Sequence, residues 1–321
     1  MLAERSALWC PSNNPRFVDN IGDRDCDGVI LDLEASVPDD QQVQARYRMR
    51  ESIGKVSRGG ARVTVRPNHR PWLADLEWAI WPGVEKVIYP QCEYPEEVRR
   101  VDEALTRLER ERGIRPGAIE LYPLIETVRG VANGYEIAAA SPRVRFFGGG
   151  FLGFDTCRDL VIENVAPEPR TRETVYYLTG ECALTARALG IQTTNGVMVE
   201  TNLSGDVSAG SFYERRAVEN KAAGLFGGGS SLHPNGVAPL NKGFTPTPEE
   251  VVEGRALVQA FAELDARGEV EGTFNGRILD RWEAARAQKL LDWAEACERT
   301  DRRKAGVRAR NRGLEQTGGP R

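Results

Sequence analysis

At 321 residues the chain suits one large barrel domain or two ordinary ones, and either could bury a substantial core. Its 43 Lys and Arg are set against 47 Asp and Glu for a net charge of −4; the two signs are interspersed, which excludes a general field for nucleic acid or a membrane surface and leaves an anionic substrate to local cations. Six cysteines (Cys10, Cys26, Cys92, Cys157, Cys182 and Cys297) lie far apart without a C-x-x-C pair, and only His69 and His233 could assist a soft metal, so the pattern argues for reduced thiols in a cytoplasm and against zinc. The first residues lack the basic and apolar regions of a signal peptide, and no apolar stretch nears the ~18 residues of a membrane span. A soluble, cytoplasmic protein is expected.

In chain order, short β-branched or apolar runs alternate with amphipathic stretches. Strands are expected at Ser6–Cys10, Gly28–Leu33, Arg62–Arg66 and Val84–Tyr89, with a helix at Pro95–Arg112. Strand Ile119–Ile125, helix Gly130–Ala140, strand Val144–Gly148 and helix Arg170–Leu189 follow. Strand Gln192–Val199, helix Phe212–Ala223 and strand Leu225–Leu232 complete eight units, which predict a (β/α)8 TIM barrel over residues 1–245. Thr247-Pro248-Glu249-Glu250 then opens a helix with a cap residue, a proline at its first position and acids in its first turn. That helix runs to about Arg267, and a Gly-bounded segment, Glu269–Gly276, leads to a last helix through Cys297. Residues 246–298 therefore form a helical extension that caps the barrel or reaches a neighbouring subunit. From Arg299 to Arg321 large apolar residues almost vanish and Arg, Gly, Gln and Thr dominate, which predicts a disordered basic tail.

The chemistry is expected where the strands end, because in a parallel barrel all C-terminal ends meet at one mouth. Leu124-Ile125-Glu126, Gly153-Phe154-Asp155, Leu31-Asp32-Leu33-Glu34 and Val65-Arg66 would bring carboxylates and an arginine together there. Mg²⁺ takes one or two carboxylates and leaves its other positions to water and substrate, a count that Glu126 and Asp155 meet. A 2-oxo or 2-hydroxy acid could then chelate the ion while Arg66 clamps a carboxylate or a developing enolate. Gly153, Phe154 and Asp32 are expected to line the substrate. Of Asp32 and Glu34, one is expected to hold metal-bound water while its neighbour faces the barrel wall. The competing reading of Glu126 is a cap on the following helix.

Taken together, Arg5-Ser6-Ala7-Leu8-Trp9-Cys10-Pro11, Leu31-Asp32-Leu33-Glu34, Val65-Arg66-Pro67-Asn68, Leu124-Ile125-Glu126-Thr127 with Gly130-Val131-Ala132-Asn133, and Leu232-His233-Pro234 with Phe244-Thr245-Pro246-Thr247 resemble the successive motifs of the HpcH/HpaI aldolase and citrate lyase β-subunit family. The resemblance runs from about residue 5 to 297. It implies a TIM barrel dependent on Mg²⁺ (or Mn²⁺) that makes or breaks carbon–carbon bonds in citryl, malyl, citramalyl or related thioesters, or in free 2-oxo acids. It also implies trimers or hexamers. Carried over by position, Glu126 and Asp155 match metal ligands, Arg66 the substrate-binding arginine, and Glu34 with Asp32 the acidic pair near the metal waters. Asn275-Gly276-Arg277-Ile278-Leu279-Asp280 resembles the element of the malyl- and citramalyl-CoA lyase branch whose last aspartate moves a proton in an adjacent subunit's site. Asp280 is the corresponding acid/base, and an ordinary helix cap is its competing reading.

Ala35 stands where the family has an aspartate, Asn195 near another, and basic residues are missing near Asp19 and near Gly228 or Gly229. Loss of the basic residues weakens a handle for CoA phosphate or a carrier protein, and the triple glycines at 148–150 and 227–229, unusual for the family, are expected to open the mouth to a different substrate. Gly148, Gly150 and Gly153 satisfy G-x-G-x-x-G, but after the sixth strand rather than the first of a βαβ unit, so a dinucleotide is not expected. His233 beside Pro234 reads as structural. The alternative to a carbon–carbon lyase is a thioester hydrolase, or a barrel without catalysis that serves as a binding or assembly subunit.

Overall fold

The computed structural model describes residues 2–149, 169–193, 212–223 and 227–316. Among them, strands β1 (Ser6–Pro11), β2 (Gly28–Asp32), β3 (Arg62–Arg66), β4 (Val84–Tyr89), β5 (Glu120–Ile125), β6 (Phe146–Gly149), β7 (Gln192–Thr193) and β8 (Gly229–Ser231) form one parallel sheet. The order is β7-β6-β5-β4-β3-β2-β1-β8, each strand beside its sequence neighbour and β1 paired with β8. The Gly227 N–H donates to the Thr193 carbonyl (3.4 Å), so a hydrogen bond also joins the segment before β8 to β7. This is the (β/α)8 barrel expected from the eight runs.

Strand alternation sorts the side chains. In β3, Val63 and Val65 face the helices while Arg62, Thr64 and Arg66 lie on the other side, and Val29, Leu31 and Val87 join the two valines in the layer between sheet and helices. Helices α1 (Pro15–Ile21), α2 (Gln42–Val56), α3 (Trp72–Ala79) and α4 (Pro95–Glu111) cover that layer. Their apolar positions fall at helical spacing: Ala45, Met49, Ile53 and Val56 in α2, and Val98, Val101, Leu105 and Leu108 in α4. Ala7, Trp9, Ile30, Ile88, Tyr122, Leu124 and Phe146 make the smaller inner cluster that fills a barrel of this size.

At the strand starts the interior is charged. Lys86 meets Glu4 (2.6 Å) and Arg62 meets Glu120 (2.6 Å), with the Lys86 ammonium 3.9 Å from the centre of the Phe146 ring. Burial pulls the Lys86 pKa down against the opposing pull of Glu4. Each charge keeps a partner, which is the condition for burying it.

Around the rest of the ring stand α5 (Val128–Ala132), α6 (Gly134–Ala139), α7 (Pro169–Leu189), α8 (Phe212–Ala223) and α9 (Val237–Phe244). Beyond them, α10 (Pro248–Ala266) opens as expected: the Thr247 hydroxyl accepts from the Glu250 N–H (3.1 Å) and Glu250 accepts from the Thr247 N–H (2.7 Å), a capping box. An antiparallel hairpin, β9 (Glu271–Phe274) and β10 (Arg277–Asp280), leads into α11, Arg281–Gln316. Leu257, Leu264, Leu279, Ala284 and Ala287 give this extension a core of its own.

The expectation of a disordered tail from Arg299 is corrected here, because α11 continues unbroken to Gln316. Its second half lies across the N-terminal face of the barrel. Thr300 donates to the Ala3 carbonyl (2.8 Å), Asn311 to the Arg58 carbonyl (2.9 Å), and Arg303 pairs with Glu85. Lys304, only 3% exposed along its side chain, meets the fully buried Asp27 at 2.7 Å, and Asp27 also receives Arg5 at 2.7 Å. Composition suggested solvation because there is little grease, yet the tail is held by charges that find buried partners almost 280 residues away.

Replacing Lys304 with methionine should destabilise the protein by about 3 kcal/mol, the low end for breaking a buried pair because Arg5 still faces Asp27. Arg302→Ala, which removes an exposed i,i+4 pair with Glu298, should cost less than about 0.5 kcal/mol. Denaturant midpoints compare the two. Burial opposes the Lys304 charge, but Asp27 outweighs it and raises the pKa above the usual 10.5. This contribution is therefore complete below pH 10.5 and fades as pH climbs through the raised value.

Candidate active site

The mouth is built from the C-terminal ends of β1 to β5. Arg66, the last residue of β3, lies beside Asp32, the last of β2, because the two are paired in register. Nε and Nη2 of Arg66 donate to the two Asp32 oxygens at 2.6 and 2.7 Å, and Nη1 reaches Glu34 at 2.9 Å. Trp9 of β1 lies under the guanidinium, 4.3 Å from ring centre to Cζ, with its own N–H donated to Ser230 of β8 (3.0 Å). A cation over an aromatic face, with a bidentate carboxylate at its edge, leaves the arginine little freedom.

Asp32 is almost fully occupied. Besides Arg66 it accepts from the Glu34 N–H (3.0 Å), the Ser36 N–H (3.0 Å) and the Ser36 hydroxyl (2.5 Å). Burial favours its protonated form, but the Arg66 charge and these donors outweigh burial and hold the carboxyl below its ordinary range. The expectation that one of Asp32 and Glu34 faces the barrel wall fails. They are two residues apart and both turn to Arg66, while Leu33 between them enters the outer core.

Glu126 follows β5 directly, half-buried at the same mouth, and its charge helps hold the Arg66 proton. It does not cap the next helix. Thr127 does, accepting from the Gly130 N–H at 3.0 Å. Instead a Glu126 oxygen accepts the Gln91 N–H (3.1 Å), and the Gln91 amide donates to Glu34 (3.3 Å). Asp32, Arg66, Glu34, Gln91 and Glu126 thus form one connected chain of hydrogen bonds.

Gly153, Phe154 and Asp155 lie outside the described residues, and so does Asn195. Among the described residues no group of three His, Cys, Asp or Glu could hold a metal by itself. The donor set still fits a hard ion. Glu126 offers a half-buried carboxylate at the end of β5, and Asp32 and Glu34 are engaged with Arg66, which leaves the small protein contribution that Mg²⁺ takes.

Asp280 is not among these residues. It ends β10 in the extension, where one oxygen accepts from the N–H groups of Trp282 and Glu283, both at 2.9 Å, so within this chain it caps α11. His233 likewise plays a local part, its Nδ1 accepting from the Asn235 N–H at 3.2 Å. At Gly228 a Cβ would stand 1.9 Å from the Glu4 carbonyl oxygen, so no basic side chain fits there without moving the backbone.

Sequence reading missed Trp9, Gln91, Ser36 and Ser230. The tryptophan was visible as the inward partner of Ala7 on an alternating strand; the others act through loop geometry that spacing does not carry.

A parallel (β/α)8 barrel with an arginine and carboxylates at its C-terminal mouth defines a barrel enzyme scaffold. Residues 5–219 match the HpcH/HpaI aldolase/citrate lyase family, and the chain belongs to it. It is 27% identical over 295 residues to the citrate lyase subunit beta of Leuconostoc mesenteroides subsp. cremoris, covering 91% of this chain and 93% of that protein. An L-malyl-CoA/beta-methylmalyl-CoA lyase of Cereibacter sphaeroides is 27% identical over 309 residues, with 91% and 94% covered. In fold, the CitE protein of Mycobacterium tuberculosis, solved with magnesium, acetoacetate and coenzyme A, matches with a TM-score of 0.67 at 22% identity, over 91% of this chain and 98% of that one.

Proposed function

We propose that this protein is a Mg²⁺-dependent carbon–carbon lyase that cleaves, or in reverse condenses, a short hydroxy acid or its acyl thioester through a 2-oxo acid. The observation that carries the reading is the mouth itself: Glu126 at the end of β5, joined by hydrogen bonds to an arginine held in place by Asp32, Glu34 and Trp9. Relatives that align along more than nine-tenths of their length are citrate and malyl-CoA lyases, and the magnesium complex of the fold relative favours that ion.

Glu126, with Asp155, would hold the ion, which when bound supplies a Lewis acid for the oxygens of the oxo-acid half. Arg66 has five donors, three of them engaged with Asp32 and Glu34. The two remaining N–H groups would bind the acid or thioester oxygen on which enolate charge grows. In the cleavage direction the substrate hydroxyl loses its proton and the carbon–carbon electron pair passes to the departing half. The hydroxyl carbon becomes the carbonyl of the oxo acid as that bond breaks, and the departing half, left as an enolate, then takes a proton at carbon. Asp280 of a neighbouring copy would carry the proton for this last step. Its own chain uses it as a cap, and α11 runs about 22 Å along its axis from Arg281 to Ala296, at the N-terminal face. Residues 1–245 would then serve as the catalytic barrel and 246–298 as the arm, in a homo-oligomer.

The test is Mg²⁺-dependent thermal stabilisation. A hundredfold excess of ion over its dissociation constant stabilises a folded protein by about 2.7 kcal/mol. Glu126→Gln and Asp155→Asn should each abolish the shift while the metal-free melting temperature stays near that of the parent. If both variants bind Mg²⁺ as the parent does, the metal lies elsewhere and the reading is wrong.

A further inference from the structure

Among the described residues, three other than glycine have positive φ: Asp25, Gln91 and Asn275. Asp and Asn adopt this region readily. Glutamine does not, and Gln91, at φ 50°, sits in the turn that follows β4 and faces the mouth. Backbone strain of this kind persists where the surroundings over-determine it, and it collects at functional sites.

The surroundings here do so. The Cys92 N–H donates to the Leu124 carbonyl at 3.2 Å, and the Asn133 amide to the Glu93 carbonyl at 2.8 Å. On the other side Gly130 approaches so closely that a Cβ there would stand 2.5 Å from the Cys92 carbonyl oxygen. None of these contacts uses the Gln91 side chain. The turn is fixed by its neighbours, and its conformation aims two donors of one residue at two different acids.

We propose that Gln91 is a positioning residue for the reaction read above: its backbone N–H holds Glu126, its side-chain amide holds Glu34, and the pair of bonds sets the spacing between the metal-binding carboxylate and the arginine clamp. The bonds are 3.1 Å to Glu126 and 3.3 Å to Glu34, and Glu34 in turn holds Arg66 at 2.9 Å. A glycine would adopt this backbone without strain but would supply only the first bond. Gln91 is also neutral, so its backbone N–H and side-chain amide together link the two carboxylates without adding a cation that would compete with a bound metal.

Two variants separate shape from hydrogen bonding. Gln91→Met keeps the length of the side chain and loses the donor; Gln91→Gly loses the side chain and relieves the backbone. Both keep the N–H that meets Glu126. Calorimetric titration with Mg²⁺ alone, and then with pyruvate in saturating Mg²⁺, is expected to give Mg²⁺ affinities within about threefold of the parent and pyruvate affinities weaker by at least about tenfold, because a clamp displaced by even 1 Å binds poorly. The melting temperature of Gln91→Gly should equal or exceed the parent's, which a purely structural role would not allow. Parent-like pyruvate affinity in Gln91→Met would overturn the proposal, as would a lowered melting temperature in Gln91→Gly. The proposal rests on the metal-dependent reading, whose own failure shows separately as unchanged Mg²⁺ affinity in Glu126→Gln.

Discussion

Replacing Arg66 with lysine is expected to lower turnover at least about a hundredfold while Mg²⁺ affinity stays within about threefold of the parent. The guanidinium makes three directional bonds here, two to Asp32 and one to Glu34, while lying over Trp9. A lysine ammonium has three donors on a flexible stem and no plane. It can satisfy part of Asp32 or meet the substrate, but not both in the same geometry. Stability should fall as well, by about 1–3 kcal/mol, since Asp32 stays buried with a poorer partner. Ser36 and the Glu34 N–H soften that loss because they remain on the carboxylate. Steady-state kinetics together with a magnesium titration decides the matter. Turnover near the parent's would make Arg66 a structural counter-ion of Asp32 and move the clamp elsewhere.

The barrel was legible because its strands are short, buried runs between amphipathic helices. Arg62–Arg66 and Val84–Tyr89 have the same limits in sequence and structure, and Pro95–Arg112 ends within one residue of the observed helix. Helix α2 carries its core stripe, Ala45-Met49-Ile53-Val56, at clear helical spacing, but seven charged or amide side chains among its 15 residues lower its overall apolar character. The convergence of Glu126, Arg66, Asp32 and Glu34 followed from barrel geometry alone, since all four stand at strand ends. What each one touches did not follow. The Asp32–Arg66 bidentate pair depends on register across two strands, and the role of Gln91 depends on a positive φ that no propensity assigns to glutamine. The tail beyond Arg299 was misread for a related reason. Local composition describes what a segment can do alone, whereas Lys304 is ordered by Asp27 at the far end of the sequence.

Two inactive variants, Asp280→Asn and Glu126→Gln, should recover activity when they are refolded together. Each lacks one half of the machinery: the first the proton carrier, the second a metal ligand. If Asp280 serves a neighbouring mouth, a mixed assembly pairs an intact Asp280 from one chain with an intact Glu126 from another, and in a random mixture up to about a quarter of the mouths are complete. The extension carries exposed apolar side chains near Asp280. Leu279 turns into its core at 1% exposed, while Ile278 and Trp282 on either side of Asp280 remain 70% and 68% exposed, and Val252 and Val270 of the same extension are 67% and 81% exposed. Exposed apolar side chains beside Asp280 are what a surface offered to a partner would carry. Capping α11 costs Asp280 only one of its oxygens, since both N–H groups converge on Oδ1. That arrangement orients the carboxylate. Activity near a quarter of the parent's, in assemblies shown by mass to contain both chains, is the expected result. Mixed assemblies that stay inactive would confine Asp280 to its own chain as a helix cap, and the proton carrier would then have to lie at the mouth beside Glu126.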